Sequence, residues 1–251
     1  MHHLTILTGA SRGMGLAMAT QLSQPGARLL CIARRGAPEL ERLATQRGAE
    51  LVQWSADLAE PAAVASRLLS WLQAQDPSRL ASATLINNAA VVGRVGPLDP
   101  VDLPGIASTL RVDLEAPMVL AAVFLSATRS WDMPKKILNI SSGLGRRAMA
   151  GSALYCAAKA GMDHYSRCVA LDEAHQPRPV RIVSLAPGVI DTDMQSDLRA
   201  ADPGHFPERA NFVQLKENGM LTSPRDAAQR VLAYLARADF GAQPVADVRD
   251  S

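Results

Sequence analysis

Ser142, Tyr155 and Lys159 carry chemistry most directly by type and spacing. Tyr155 and Lys159 stand four apart, so on a helix they share one face. A free tyrosine has a pKa of about 10 and exchanges protons poorly at neutrality. A nearby ammonium and an oxidised nicotinamide favour the phenolate and bring the group within range of proton transfer. Ser142 follows an apolar run and can hydrogen-bond a substrate carbonyl oxygen. Together they suit hydride chemistry, in which carbon takes a hydride and oxygen takes a proton. Tyr155 and Lys159 alone would describe an ordinary surface helix; a serine upstream and a cofactor loop in the same chain argue against that.

That loop is Thr8-Gly9-Ala10-Ser11-Arg12-Gly13-Met14-Gly15, set between an apolar run and a helical pattern. Glycines let the backbone turn sharply and approach a diphosphate, while the helix N-terminus offers free N–H groups. Gly9, Ser11, Arg12, Gly13, Met14 and Gly15 are therefore cofactor candidates. The second apolar run ends in Arg34-Arg35, where an acidic residue would select NAD. Arginines bind phosphate bidentately, which favours the 2′-phosphate of NADP; by themselves they could equally be a solvated turn. Asp57 and Leu58 are placed to meet the adenine, although Asp57 could also cap the helix beginning near Pro61. Asn88 and Ala89 permit close approach to the adenosine, and Asn87 is assigned a structural role tying strands together.

The elements that must position these groups alternate. Short apolar runs recur at Leu4–Leu7, Arg28–Ala33, Leu51–Ser55, Thr84–Asn87, Lys136–Ile140 and Arg181–Ala186, with helical spacing between them. This predicts βαβ units in one α/β doubly wound domain spanning 1–251. Runs apolar throughout predict a sheet covered on both faces. After Pro187-Gly188, the polar segment 190–222 reads as a loop-like insertion and a candidate substrate lid. A helix is predicted at Pro224–Ala238 with Ser223 as its N-cap, and Pro244–Val248 could add a last strand.

Composition narrows the rest. The chain has 251 residues, 48% apolar, with 26 basic against 24 acidic side chains. Such balance gives no reason to expect nucleic acid, and no apolar run is long enough to span a membrane. Cys31, Cys156 and Cys168 are few and unpatterned, so a cytoplasmic protein without structural metal is expected.

Thr8–Gly15, Asn87–Ala90, Ser142, Tyr155-x3-Lys159 and Pro187-Gly188 together resemble the short-chain dehydrogenase/reductase family across essentially the whole chain. The resemblance implies a Rossmann-type fold, Tyr155 as acid/base, and Lys159 binding the nicotinamide ribose while lowering the tyrosine pKa. It places Pro187, Gly188, Ile190, Thr192 and Met194 at the nicotinamide end, with Gly188 also beside substrate. Segments 153–160, 186–195 and 215–224 are similar to the sepiapterin reductase and bacterial benzil reductase branch. Its members reduce vicinal dicarbonyls with NADPH. Asp247 matches the aspartate that anchors the pterin in sepiapterin reductases; the other reading is a surface aspartate closing a last strand. A homo-oligomer, dimer or tetramer, is also implied, through the fourth and fifth helices.

The chain departs from the family pattern where asparagine is usual and Asp113 stands instead. A carboxylate accepts but cannot donate, and near Lys159 it would strengthen the ammonium. Ala90 also replaces a usual glycine. Arg146-Arg147 reads as a solvated loop or as a lining that favours an anionic substrate, and Met149, Trp131 and Met162 as packing. The expected activity is NADPH-dependent reduction of a small-molecule carbonyl, a 1,2-dicarbonyl or pteridine-like ketone. The alternatives are an alcohol dehydrogenase running oxidatively and a non-catalytic NADPH sensor.

Overall fold

A computed structural model describes residues 1–99 and 102–250. Seven parallel strands form one sheet in the order β3-β2-β1-β4-β5-β6-β7. They are β1 (His2–Thr8), β2 (Ala27–Ala33), β3 (Glu50–Ser55), β4 (Leu80–Asn87), β5 (Lys135–Ile140), β6 (Val180–Ala186) and β7 (Val245–Asp247). Each predicted strand is present. The weakly patterned last one pairs with β6 through Ser184–Ala186.

Successive residues of each strand feed opposite faces, which is why the runs are apolar throughout. Leu30 and Ile32 of β2 join the core under α3 (Pro61–Gln73) and α5 (Ala116–Ala127). Leu29 and Cys31 join the one under α1 (Gly13–Leu22), α2 (Pro38–Arg47) and α9 (Pro224–Ala236). Helix α6 (Ala153–Ala174) lies on the α5 side, where Tyr165 and Val169 pack against the first core. Trp131 and Met162 are buried packing residues, as expected.

Strand order reverses between β1 and β4, the switch point where open α/β sheets leave a crevice at their carboxyl ends. Asn87 ties the sheet there, its amide donating to Asn139 Oδ1 at 2.8 Å.

Two expectations are corrected. The 190–222 segment is not loop-like: it holds α7 (Asp193–Ala200) and α8 (Arg209–Glu217). Its ends are closed by a parallel bridge between Ile190 and Thr222, with Asp191 N–H donating to Thr222 O at 2.9 Å. Leu198, Phe206 and Phe212 supply the small apolar face that folds it. Helix α9 ends at Ala236 rather than Ala238, while Ser223 caps it as predicted, accepting from Asp226 N–H at 3.1 Å.

Candidate active site

A cleft of about 960 Å³ opens along the carboxyl ends of the strands. Every residue expected at the cofactor lines it, from Gly9 to Gly15 through Arg34, Arg35, Asp57, Leu58, Asn88 and Ala89 to Pro187, Gly188, Ile190, Thr192 and Met194. Ser142, Tyr155 and Lys159 line the same cleft.

The glycine loop is built for close approach. Gly9 has φ +70°, and a Cβ there would lie 2.9 Å from Ala89 Cα. A Cβ on Gly15 would lie 2.0 Å from Gly9 O, so only glycine allows the turn to close. Thr8 fastens the loop to β4, its hydroxyl accepting from Asn88 N–H at 2.9 Å and Ala89 N–H at 3.0 Å. The Asn88 amide donates to Thr8 O at 3.0 Å, so this side chain braces the loop from behind. Thr8 was not singled out by sequence, although its place at the strand end was visible. Arg12 reaches across to Asp193 of α7 at 2.5 Å. Asp57 makes a local turn, accepting from Ala59 N–H at 3.0 Å, and Glu60 occupies the cap position of α3.

The catalytic candidates converge from three elements. Ser142 caps a short 3₁₀ turn after β5, its hydroxyl accepting from Leu144 N–H at 3.2 Å. That turn packs directly on α6: a Cβ on Gly145 would lie 2.9 Å from Lys159 O. Tyr155 and Lys159 share a face of α6 as predicted, with Lys159 Nζ 5.5 Å from the tyrosine ring centroid. Lys159 is buried and donates to Ile140 O at 3.1 Å. Burial pushes its ammonium below the ordinary lysine range, against the pull of Asp113 and Asp163.

Tyr155 keeps some exposure to the cleft, yet the protein packed around it pushes the hydroxyl above the ordinary phenol range. The Asp113 carboxylate adds to that push, and the Ser142 hydroxyl, a hydrogen-bond partner, opposes it. The protein alone thus holds Tyr155 protonated, as a proton donor requires.

Asp113 does not line the cleft; it lies behind Lys159, fully buried. One carboxylate oxygen accepts from Val91 N–H at 2.8 Å, and the other faces Lys159 Nζ at 3.8 Å. A π-helical turn, Arg111–Glu115, between α4 (Leu103–Leu110) and α5 carries it. Pro117 has no N–H to give Asp113 O, and Ala116 N–H bonds Arg111 O instead, widening the turn. Burial raises the Asp113 pKa to about 6, although Lys159 and the Val91 N–H oppose the rise. Above that pH the ionised carboxylate disfavours the Tyr155 phenolate. Asp113→Asn is therefore expected to move the alkaline limb of the reduction rate to lower pH. Superimposable pH profiles of kcat/KM for variant and parent would contradict this.

Asp247 corrects another expectation. It does not line the cleft; its carboxylate is bound by Arg249 at 2.6 and 2.8 Å. Arg249 lines the cleft in its place. Arg146 is exposed on its turn, as the solvated-loop reading has it, yet it also donates to Asp163 Oδ2 at 3.1 Å and Ala246 O at 2.8 Å, fastening β7 to α6. Asp163 also accepts from Ser141 at 2.6 Å and Ser184 at 2.7 Å. Its position one turn after Lys159 was the available sequence signal for this network. Met149 is buried with Leu198 and Phe206, and it also lines the cleft.

Residues 3–203 match the family model for short chain dehydrogenases. The chain belongs to the short-chain dehydrogenase/reductase family. It is 34% identical over 235 residues to a benzil reductase ((S)-benzoin forming) from Bacillus cereus, covering 94% of each chain. It is 35% identical over 246 residues to sepiapterin reductase from Rattus norvegicus, covering 94% of this chain and 92% of that one. A metagenomic short-chain oxidoreductase solved in complex with NADP superposes with a TM-score of 0.72 at 26% identity, over 98% of this chain and 94% of that one. Family membership makes the protein an oxidoreductase. Among the described residues, no helix is long and apolar enough to cross a membrane, and no cluster suits a metal ion.

Proposed function

We propose that the protein is an NADPH-dependent carbonyl reductase acting on a 1,2-dicarbonyl or pteridine-like ketone. The observation that carries this reading is the convergence of Ser142, Tyr155 and Lys159 in the cleft that the glycine loop and arginines also line. The loop fits a dinucleotide because Gly9 and Gly15 let it fold tightly on itself and against Asn88-Ala89, ahead of the N-terminus of α1, where a diphosphate is bound. Two relatives whose names specify dicarbonyl or pterin reduction supply the substrate class.

Bound NADPH supplies the hydride. Ser142 holds the substrate carbonyl oxygen, and Tyr155 gives that oxygen its proton. Lys159 anchors the nicotinamide ribose and returns positive charge to the tyrosine as it ionises. Asp113 keeps that ammonium charged behind the site. Arg34 and Arg35 stand exposed at the end of β2, where the 2′-phosphate would lie. The 190–222 segment serves as a lid, hinged at its closed base and linked to the glycine loop by Arg12 and Asp193.

Cofactor choice tests this reading through Arg34 and Arg35. The parent is expected to use NADPH over NADH, and Arg34→Ala with Arg35→Ala to lower kcat/KM for NADPH by about 10–100-fold, through lost charge-assisted bonds. NADH turnover should change little. Equal use of both cofactors by the parent would contradict the NADPH assignment.

A further inference from the structure

Positive charge is gathered at two separated places in the cleft. Arg12, Arg34 and Arg35 belong to the β1–β2 end. Arg147 and Arg249 belong to the other, one following β5 and the other following β7. β5 is three strand positions from β2 and β7 is five, about 14–24 Å at ordinary strand spacing. A 2′-phosphate held by Arg34 and Arg35 at the end of β2 therefore lies apart from Arg147 and Arg249.

The second group sits on the substrate side. Arg147 is five residues beyond Ser142. Arg249 follows Val248, whose N–H bonds Ala186 O immediately before Pro187-Gly188. The acids in the cleft leave this end uncompensated: Asp193 pairs with Arg12 and Asp191 with Lys216. Asp247 neutralises part of the Arg249 charge, whereas Arg147 has no ion-pair partner among the described residues. The cleft that Arg147 lines also has an apolar wall, from Leu144, Met149, Leu198 and Phe212, which belong to one cluster.

Resting on the carbonyl-reductase reading, we propose that the preferred substrate carries a carboxylate on an apolar body, received by Arg147 and Arg249. An apolar wall takes the body, while at the opening the exposed Arg147 guanidinium binds the anion bidentately and Arg249, its Nε and one Nη held by Asp247, adds its remaining N–H groups. The arrangement also explains why the aspartate matched to the pterin anchor is covered: Arg249 occupies its carboxylate.

Benzil and 4-carboxybenzil, reduced with NADPH by the intact protein, test the proposal. The parent is expected to show a higher kcat/KM for the carboxylated diketone. Arg147→Ala is expected to lower the ratio of the two values about tenfold, the effect of one charged hydrogen-bonded contact partly screened by solvent. Arg249→Ala should lower it in the same direction, since it also uncovers the Asp247 carboxylate. Equal values for both diketones in the parent, unmoved by either variant, would overturn the proposal and leave the reductase reading standing. A rise in KM for NADPH with an unchanged ratio would assign Arg147 to the cofactor and overturn it too. Reduction of neither diketone would overturn the proposal, and NADPH oxidation with sepiapterin then tests the reductase reading by itself.

Discussion

Tyr155→Phe is expected to lower kcat for carbonyl reduction by about 10²–10⁴-fold, the usual worth of a positioned general acid. NADPH binding should persist within a few-fold. The phenyl ring keeps its place on the first turns of α6, so little else moves. Only the hydroxyl goes, and with it the proton that the substrate oxygen must gain. Burial and Asp113 hold that hydroxyl protonated, so the parent carries the proton that the variant lacks. Lys159 cannot substitute: its amine is buried, donates to Ile140 O and lies over the tyrosine ring, 5.5 Å from the centroid. Single-turnover rates with preformed NADPH complex check this. A variant with near-parent rates would show that the proton comes from elsewhere.

Gly15→Ala is expected to be the most damaging small substitution in the cofactor end. Its Cβ would sit 2.0 Å from Gly9 O and 2.6 Å from the Asn88 amide. The first of these is backbone, which cannot swing aside as a side-chain tip can. Either the loop opens or α1 slides, and both break the Thr8 and Asn88 bonds that hold the loop to β4. Overpacking of this kind costs about 1–3 kcal/mol of stability, and NADPH affinity should fall at least about tenfold. Gly36→Ala is the control, because its Cβ would meet only Gln53 Oε1 at 3.7 Å. Denaturant midpoints with NADPH titrations separate the two effects. Parent-like stability and affinity in Gly15→Ala would refute the cradle.

Much of this was legible in the sequence because the physics is local. Leu29 to Ala33 is apolar throughout because alternate residues face two different cores. Tyr155 and Lys159 share a face because helical geometry puts residues four apart together. Ser142 was legible by its type and its place after the fifth apolar run, but its approach to α6 depends on a turn packed there at Gly145. The 190–222 segment was read as loop because Pro203, Gly204 and Pro207 punctuate it and few apolar residues mark its helices. Phe206 and Phe212 stack at 5.6 Å, a tertiary contact no periodicity announces. Asp247 ends β7 and Arg249 lies in the turn after it, folded back onto the Asp247 carboxylate, an arrangement that no spacing announces. Asp113 stood out by type, but its burial behind Lys159 follows from a widened turn at Pro117.

The most direct test of the account is NADPH oxidation by the purified protein with benzil, followed alongside the hydroxyketone formed. One NADPH should be consumed per carbonyl reduced, with NADH a much poorer donor. Tight NADPH binding with no oxidation on benzil, on sepiapterin or on other vicinal diketones would contradict it.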